Sequence, residues 1–238
     1  MSSASSDLVF SGGGRTRPLT VIRSATARAM RLSVDPRDGT VRLSLPTRAA
    51  IRPALAWAEE KRGWIEGALA VLPAPRPIVP GATIPFEGRD VAIAWAAKAP
   101  RTVRLDGNAL HVGGPEDAVG ARVLRWLRKE AGERMAAETR GFAVRAGVTI
   151  GRIGIGDPRS RWGSCAPSGD IRYSWRLILA PPEVREATVA HEVAHRLHMD
   201  HSPAFHAAVT RLLGRDPRPE RRWLRTHGAG LYWLGRDS

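Results

Sequence analysis

The run His191-Glu192-Val193-Ala194-His195-Arg196-Leu197-His198-Met199-Asp200-His201 gathers the side chains best able to do chemistry in this chain. On an α-helix, His191 and His195 project from one face about one turn apart. Two imidazole nitrogens so placed can meet a single Zn²⁺ ion at ~2.0–2.1 Å. Glu192 lies about 100° around the helix from His191, which strains direct coordination but suits reach through one water. The spacing is that of two metal ligands and a general base.

The next residues bear on a third ligand. Ser202-Pro203 has the form of a helix start, with Ser202 as cap and Pro203 at the first helical position. The metal helix is therefore expected to end near Met199-Asp200, leaving His201 in a tight turn that can swing it back toward the ion. Three protein ligands with one open position describe a catalytic zinc site; structural sites are closed by four. His198 is the rival, but it lies about 10.5 Å along the axis from His191 at the usual helical rise. A role behind the ligands or at the surface suits it better. His206, one turn into the next helix, is read as packing or solvent-facing, and His111 and His227 have no partners visible in sequence. A histidine-rich helix without metal would leave Glu192 buried and uncompensated beside an apolar face, at a cost.

The elements before the helix must position it. Thr149–Ile155 reads as a short strand. Ile171–Ala180 reads as a longer one, with Ile171, Tyr173, Trp175, Leu177 and Leu179 alternating against Arg172, Ser174 and Arg176. A Gly/Ser/Pro-rich loop, 157–170, joins them and carries Ser160-Arg161-Trp162-Gly163-Ser164-Cys165. Pro181-Pro182 opens the metal helix, with Glu183 and Glu186 in its first turn favourable to the dipole. The strand 171–180 is expected at a sheet edge beside the metal cleft, where an extended peptide can add as a further strand.

Arg161-Trp162-Gly163-Ser164-Cys165, Trp175-Arg176-Leu177, Ala180-Pro181-Pro182-Glu183-Val184, the His191–His195 motif and His201-Ser202-Pro203-Ala204-Phe205 follow one another in an order that resembles the YgjP-like metallopeptidases, relatives of the SprT and WLM proteases. The likeness is specific over residues 150–210 and weaker before them. It implies a small zincin-type domain with His191, His195 and His201 as ligands and Glu192 as base. Two positions depart from the family pattern, Ser174 and Asp200, where Asn is usual; neither is a metal ligand.

In the implied mechanism zinc lowers the pKa of its bound water, and Glu192 takes the proton as that water attacks a carbonyl. A nearby donor must stabilise the oxyanion. Arg161, Tyr173 and Arg176 are candidates, and with Trp162, a tryptophan in a Gly/Ser-flanked loop, they form the expected substrate-binding set. Cys165, the sole cysteine, excludes an intramolecular disulfide; it reads as a structural thiol rather than a blocking ligand.

The fold class expected is α+β, a β-rich amino-terminal part followed by a small zincin-like domain. Residues 1–17 are expected to be disordered, 18–113 to form the β-rich region with one helix over 48–71, and 114–238 the catalytic domain. In the β-rich region Leu19, Val21, Leu32, Val34, Val41, Leu43 and Leu45 alternate, with Asp38-Gly39 as a hairpin turn. In the 48–71 helix Ile51, Leu55, Trp64, Ile65 and Leu69 are expected to face inward. A Pro-rich stretch, 73–85, reads as a linker, short strands follow near 91–95, 103–105 and 110–112, and a long helix covers 117–146. Helices near 203–213 and 217–227 close the chain, and no internal repeat is visible.

Met1–Gly14 lacks the apolar core of a signal peptide and no apolar run reaches membrane-spanning length, so a cytoplasmic protein without membrane attachment is expected. Lys and Arg number 37 against 23 Asp and Glu, a net charge of +14. Such a surface permits nucleic acid as a partner, yet the arginines are scattered and no nucleic-acid fold signature accompanies them. The leading function is a zinc-dependent peptidase acting on peptide or protein. A metal-dependent nucleotide phosphoanhydride hydrolase is the second reading, though three histidines suit it less than carboxylate-held Mg²⁺. A nucleic-acid-associated protease or binding module is the third.

Overall fold

The computed structural model of the chain describes residues 9–12 and 15–236. Two compact units divide at Ala74/Pro75, and the architecture is α+β.

In the first unit β1 (Val9–Gly12), β2 (Arg15–Ser24), β3 (Arg31–Val34) and β4 (Val41–Pro46) form a sheet of order β1-β2-β4-β3. The pairing of β1 with β2 overturns the expectation of disorder for those residues; 1–8, 13 and 14 lie outside the described ones. Val41, Leu43 and Leu45 are buried on one face of β4, as their alternation requires. The expected single helix is two, α1 (Ile51–Glu60) and α2 (Arg62–Ala70), broken at Lys61 just before the poor helix former Gly63. Ala54, Ala58 and Ile65 fill the core. Ile51, at the first position of α1, and Trp64, in the helix beyond the break, are expected inside but are 40% and 52% exposed.

The second unit holds β5 (Thr83–Phe86), β6 (Arg89–Ala96), β7 (Arg104–Asp106) and β8 (Ala109–Gly113) in the order β5-β6-β8-β7. This repeats the first sheet's plan, a parallel central pair flanked by antiparallel neighbours, which no sequence periodicity announces. Residues 75–113, expected to group with the amino-terminal strands, belong instead with the catalytic elements, since Ile84, Phe86, Val91, Ile93, Leu110 and Val112 share a core with α3 (Val119–Ala146). The presumed linker is partly docked: Ile78 is buried and Arg76 bridges to Leu234.

A third sheet, order β10-β11-β9, is built from β9 (Ile153–Gly156), β10 (Gly163–Cys165) and β11 (Ile171–Ser174). β11 is its middle strand, parallel to β9 and antiparallel to β10, so the expectation of an edge strand over 171–180 is wrong. The strand also stops early. Ser174 Oγ accepts from the Arg176 backbone N–H at 3.4 Å and turns Trp175–Leu179 into a 3₁₀ helix whose Leu177, Ile178 and Leu179 are all buried. The metal helix is α4 (Pro182–Ala194), followed by α5 (Pro203–Leu213) and α6 (Arg218–His227).

α4 is fixed at its start by a buried ion cluster. Arg185, 5% exposed in its side chain, meets Glu87 at 2.9 Å and Glu138 of α3 at 2.7 Å. Glu87 and Gly88 both have positive φ, 50° and 74°, giving the tight turn that joins β5 to β6. A Cβ at Gly88 would lie 2.9 Å from Pro181, so only glycine lets this turn approach the start of α4. Removing Arg185 would leave the half-buried Glu138 without its cation, while Glu87 keeps Arg134 at 3.3 Å. Arg185→Ala is therefore expected to cost about 3–5 kcal/mol in urea unfolding, whereas Arg62→Ala at the exposed pair with Glu59 should stay within about 1 kcal/mol.

Candidate metal centre and its cleft

α4 ends about a turn earlier than the sequence suggested. His195 is its capping residue, and Arg196, Leu197 and His198 fold back through N–H bonds to the carbonyls of Val193 and Ala194 at 2.9–3.0 Å. Asp200 Oδ1 then accepts from the Ser202 N–H at 3.2 Å, and Ser202 Oγ accepts from the Phe205 N–H at 3.3 Å, capping α5 as expected. These bonds set the return of the chain. His201 Nε2 arrives 3.3 Å from His191 Nε2.

His191, His195 and His201 each offer one ligand atom, and these atoms lie within 4.8 Å of one another. Two vertices of a tetrahedron with ~2.0–2.1 Å arms are about 3.3 Å apart, so the His191–His201 separation fits one small divalent ion. His195 Nδ1 donates to the His198 carbonyl at 3.1 Å, since a carbonyl can only accept; that fixes the tautomer and leaves Nε2 free for metal. His198 thus serves through its backbone. Burial pushes His191 down to about 3 and His195 below its ordinary value, so both imidazoles are neutral and ready to ligate at neutral pH.

One residue the sequence reading passed over holds the rings in place. Phe205, fully buried, lies 4.8 Å from His191, 4.5 Å from His195 and 4.9 Å from His201, stacked on the second and edge-on to the others. Its place at the third position after the Ser202 cap was legible; its contact with all three rings was not.

Glu192 is 5% exposed, and burial pushes its carboxyl up to about 7 against the pull of Arg161. It lies against the backbone of β10: a Cβ at Gly163 would come within 2.5 Å of its Oε1. A cleft of about 340 Å³ joins Glu192 and the three histidines to Arg161, Gly163, Ser164, Cys165 and Met199. Among the described residues the strand β10 pairs only with β11, which leaves its other side an open sheet edge. The Trp162 carbonyl and the Ala166 N–H bond to Ser174 and Asp170 of the β11 side, both at 2.8 Å. By antiparallel alternation, Gly163 and Cys165 turn their N–H and C=O groups outward.

The four expected substrate contacts divide. Arg161 lines the cleft and its adjoining recess, and Trp162 lines the recess alone. Tyr173 is fully buried and shares a 2.9 Å hydrogen bond with Thr139. Its strand position points it into the core. Arg176 is a strut: it grips both carboxylate oxygens of Asp157 at 2.8 and 2.9 Å and donates to the Leu231 carbonyl at 2.7 Å, and neither residue lines the cleft. Cys165 lies on the cleft wall, but among the described residues the group able to hold metal is the three histidines alone.

The family model for the YgjP-like metallopeptidase domain matches residues 28–227, and the chain belongs to that family. Family membership and the three-histidine cluster together support a metal-dependent hydrolase. Comparison with curated proteins and with solved structures gives no match. No helix of the described residues is long and apolar enough to cross a membrane.

Metal content separates the two histidines that competed for the third position. His201→Ala should lose bound metal on dialysis, measured by plasma emission spectrometry, while His198→Ala should keep it; the reverse pattern would overturn the ligand set.

Proposed function

We propose that this protein is a zinc-dependent peptidase, with His191, His195 and His201 holding one ion and Glu192 acting as general base. The observation that carries the reading is the buried Glu192 carboxylate set between the three imidazoles and the open edge of β10. Three imidazoles with no carboxylate ligand suit zinc better than Mg²⁺. When bound, zinc supplies a Lewis acid and makes a water nucleophilic near neutral pH.

The chain's own groups account for the rest. An extended peptide can add to the outward N–H and C=O groups of Gly163 and Cys165, which holds its backbone flat beside Glu192. Glu192, with a carboxyl lifted toward neutral pH, accepts the proton of the attacking water and can return it to the leaving amine. Arg161, exposed at the cleft rim, is the candidate to stabilise the oxyanion now that Tyr173 and Arg176 are committed elsewhere. The single cysteine leaves the fold without a disulfide, which suits the cytoplasm.

Glu192→Gln preserves size and removes basicity. Peptide hydrolysis by the zinc-loaded variant is expected to fall at least ~10²-fold with zinc content retained. Undiminished hydrolysis would remove Glu192 from the reaction. Turnover of nucleoside triphosphates without peptide cleavage would favour the phosphoanhydride reading instead.

Gly163→Ala tests the same geometry from the strand side. The new methyl must displace the Glu192 carboxylate, so hydrolysis should drop by about 10²-fold through misplacement of the base, again with zinc retained. Wild-type activity in this variant would show that the contact does not position Glu192.

A further inference from the structure

Arg161 stands where three hollows meet. The metal cleft opens on one side into a recess of about 230 Å³ between α4, α5 and α6, sharing Gly163, His191 and Glu192 with it. Val184, Ala187, Val209 and Leu224 make the recess walls largely apolar, with Trp162 at its side. On the other side the cleft meets a hollow of about 560 Å³ over the β10-β11-β9 sheet, sharing Arg161, Ser164 and Cys165. That hollow carries Arg152, Arg161 and Arg172 against one carboxylate, Asp170. Asp170 lies 3.8 Å from Arg152 and Arg161 shares the cleft with Glu192, whereas Arg172 forms no ion pair among the described residues.

The two hollows lie at opposite ends of the same short strand, the recess at Gly163 and the basic hollow at Cys165. A chain laid along β10 would run from one into the other across Glu192. Its side chain over the recess would leave water for an apolar wall, while its residues over the far end would meet Arg152 and Arg172, with Asp170 the one carboxylate there. Basic side chains would be repelled at the second position.

We propose that the site selects extended polypeptides with an apolar residue on one side of the scissile bond and acidic residues on the other. This rests on the peptidase reading. The apolar recess fixes which bond lies beside Glu192, and the arginines supply a salt-sensitive preference for acidic sequence.

The test uses the full-length, zinc-loaded protein and a synthetic peptide library read by mass spectrometry, followed by matched acidic and neutral peptides. Wild type should cut next to apolar residues and favour the acidic member of each pair, less so as salt rises. Arg152→Glu with Arg172→Glu, both exposed positions, should lower the acidic-to-neutral rate ratio about tenfold with zinc content retained. Leu224→Ala, which widens the recess, should move the apolar preference toward bulkier side chains. Peptide cleavage with neither preference, or an acidic preference that survives the charge reversal, would overturn the inference and leave the peptidase reading standing. No cleavage of any peptide by the zinc-loaded wild type would overturn both. Retention of a DNA duplex that the double variant loses, without an acidic preference, would assign the arginines to nucleic acid and overturn the inference alone.

Discussion

The structure turns on where α4 stops. A helix can present His191 and His195 on one face, but its straight continuation would carry every later histidine away along the axis. Termination at His195 lets the next six residues fold back, so that His201 returns to 3.3 Å from His191. The same fold-back brings the His198 carbonyl onto His195 Nδ1, so one backbone turn brings in the third imidazole and fixes the tautomer of another. Phe205, set by the Ser202 cap, then fills the space behind the three rings. Three imidazoles converge because the helix is short.

The second constraint is the closeness of β10 to Glu192. Glu192 can be buried only because the strand beside it carries glycine at position 163; any side chain there would occupy the carboxylate's place. Burial lifts the carboxyl toward neutral pH, and the same contact places an unpaired sheet edge next to it. Both effects depend on α4 sitting at a fixed depth against the sheet. The buried Arg185 cluster at one end of α4 and the Arg176–Asp157 clasp behind the loop before β10 hold the two sides of the cleft.

Much of the site could be read directly from residue types because its chemistry is local. The helical spacing of His191 and His195, the cap and proline at 202–203, and the alternation of β4 each follow from short-range rules. The failures have physical causes too. Gly163-Ser164-Cys165 has no strand periodicity, and its β form comes from pairing with β11, a tertiary effect. The alternation from Ile171 to Leu179 continues through a segment that is buried all round, so a 3₁₀ turn started by Ser174 hid inside an apparent strand. Tyr173 and Arg176 were offered as substrate contacts because chemistry and proximity in sequence allowed it. Whether a side chain faces the core or the cleft is decided by which strand is central, and no local pattern carries that. The grouping of residues 75–113 with the catalytic elements was hidden for the same reason, as their core is completed by α3 and later residues.

The central claim is an open three-histidine site, and X-ray absorption at the zinc edge of the metal-loaded protein tests it most directly. The account predicts three imidazole nitrogens at ~2.0–2.1 Å and one further oxygen from solvent, with no sulfur in the shell. A scatterer at the ~2.3 Å expected of a thiolate, which Cys165 alone could supply, or a fourth imidazole in place of the solvent oxygen, would contradict it.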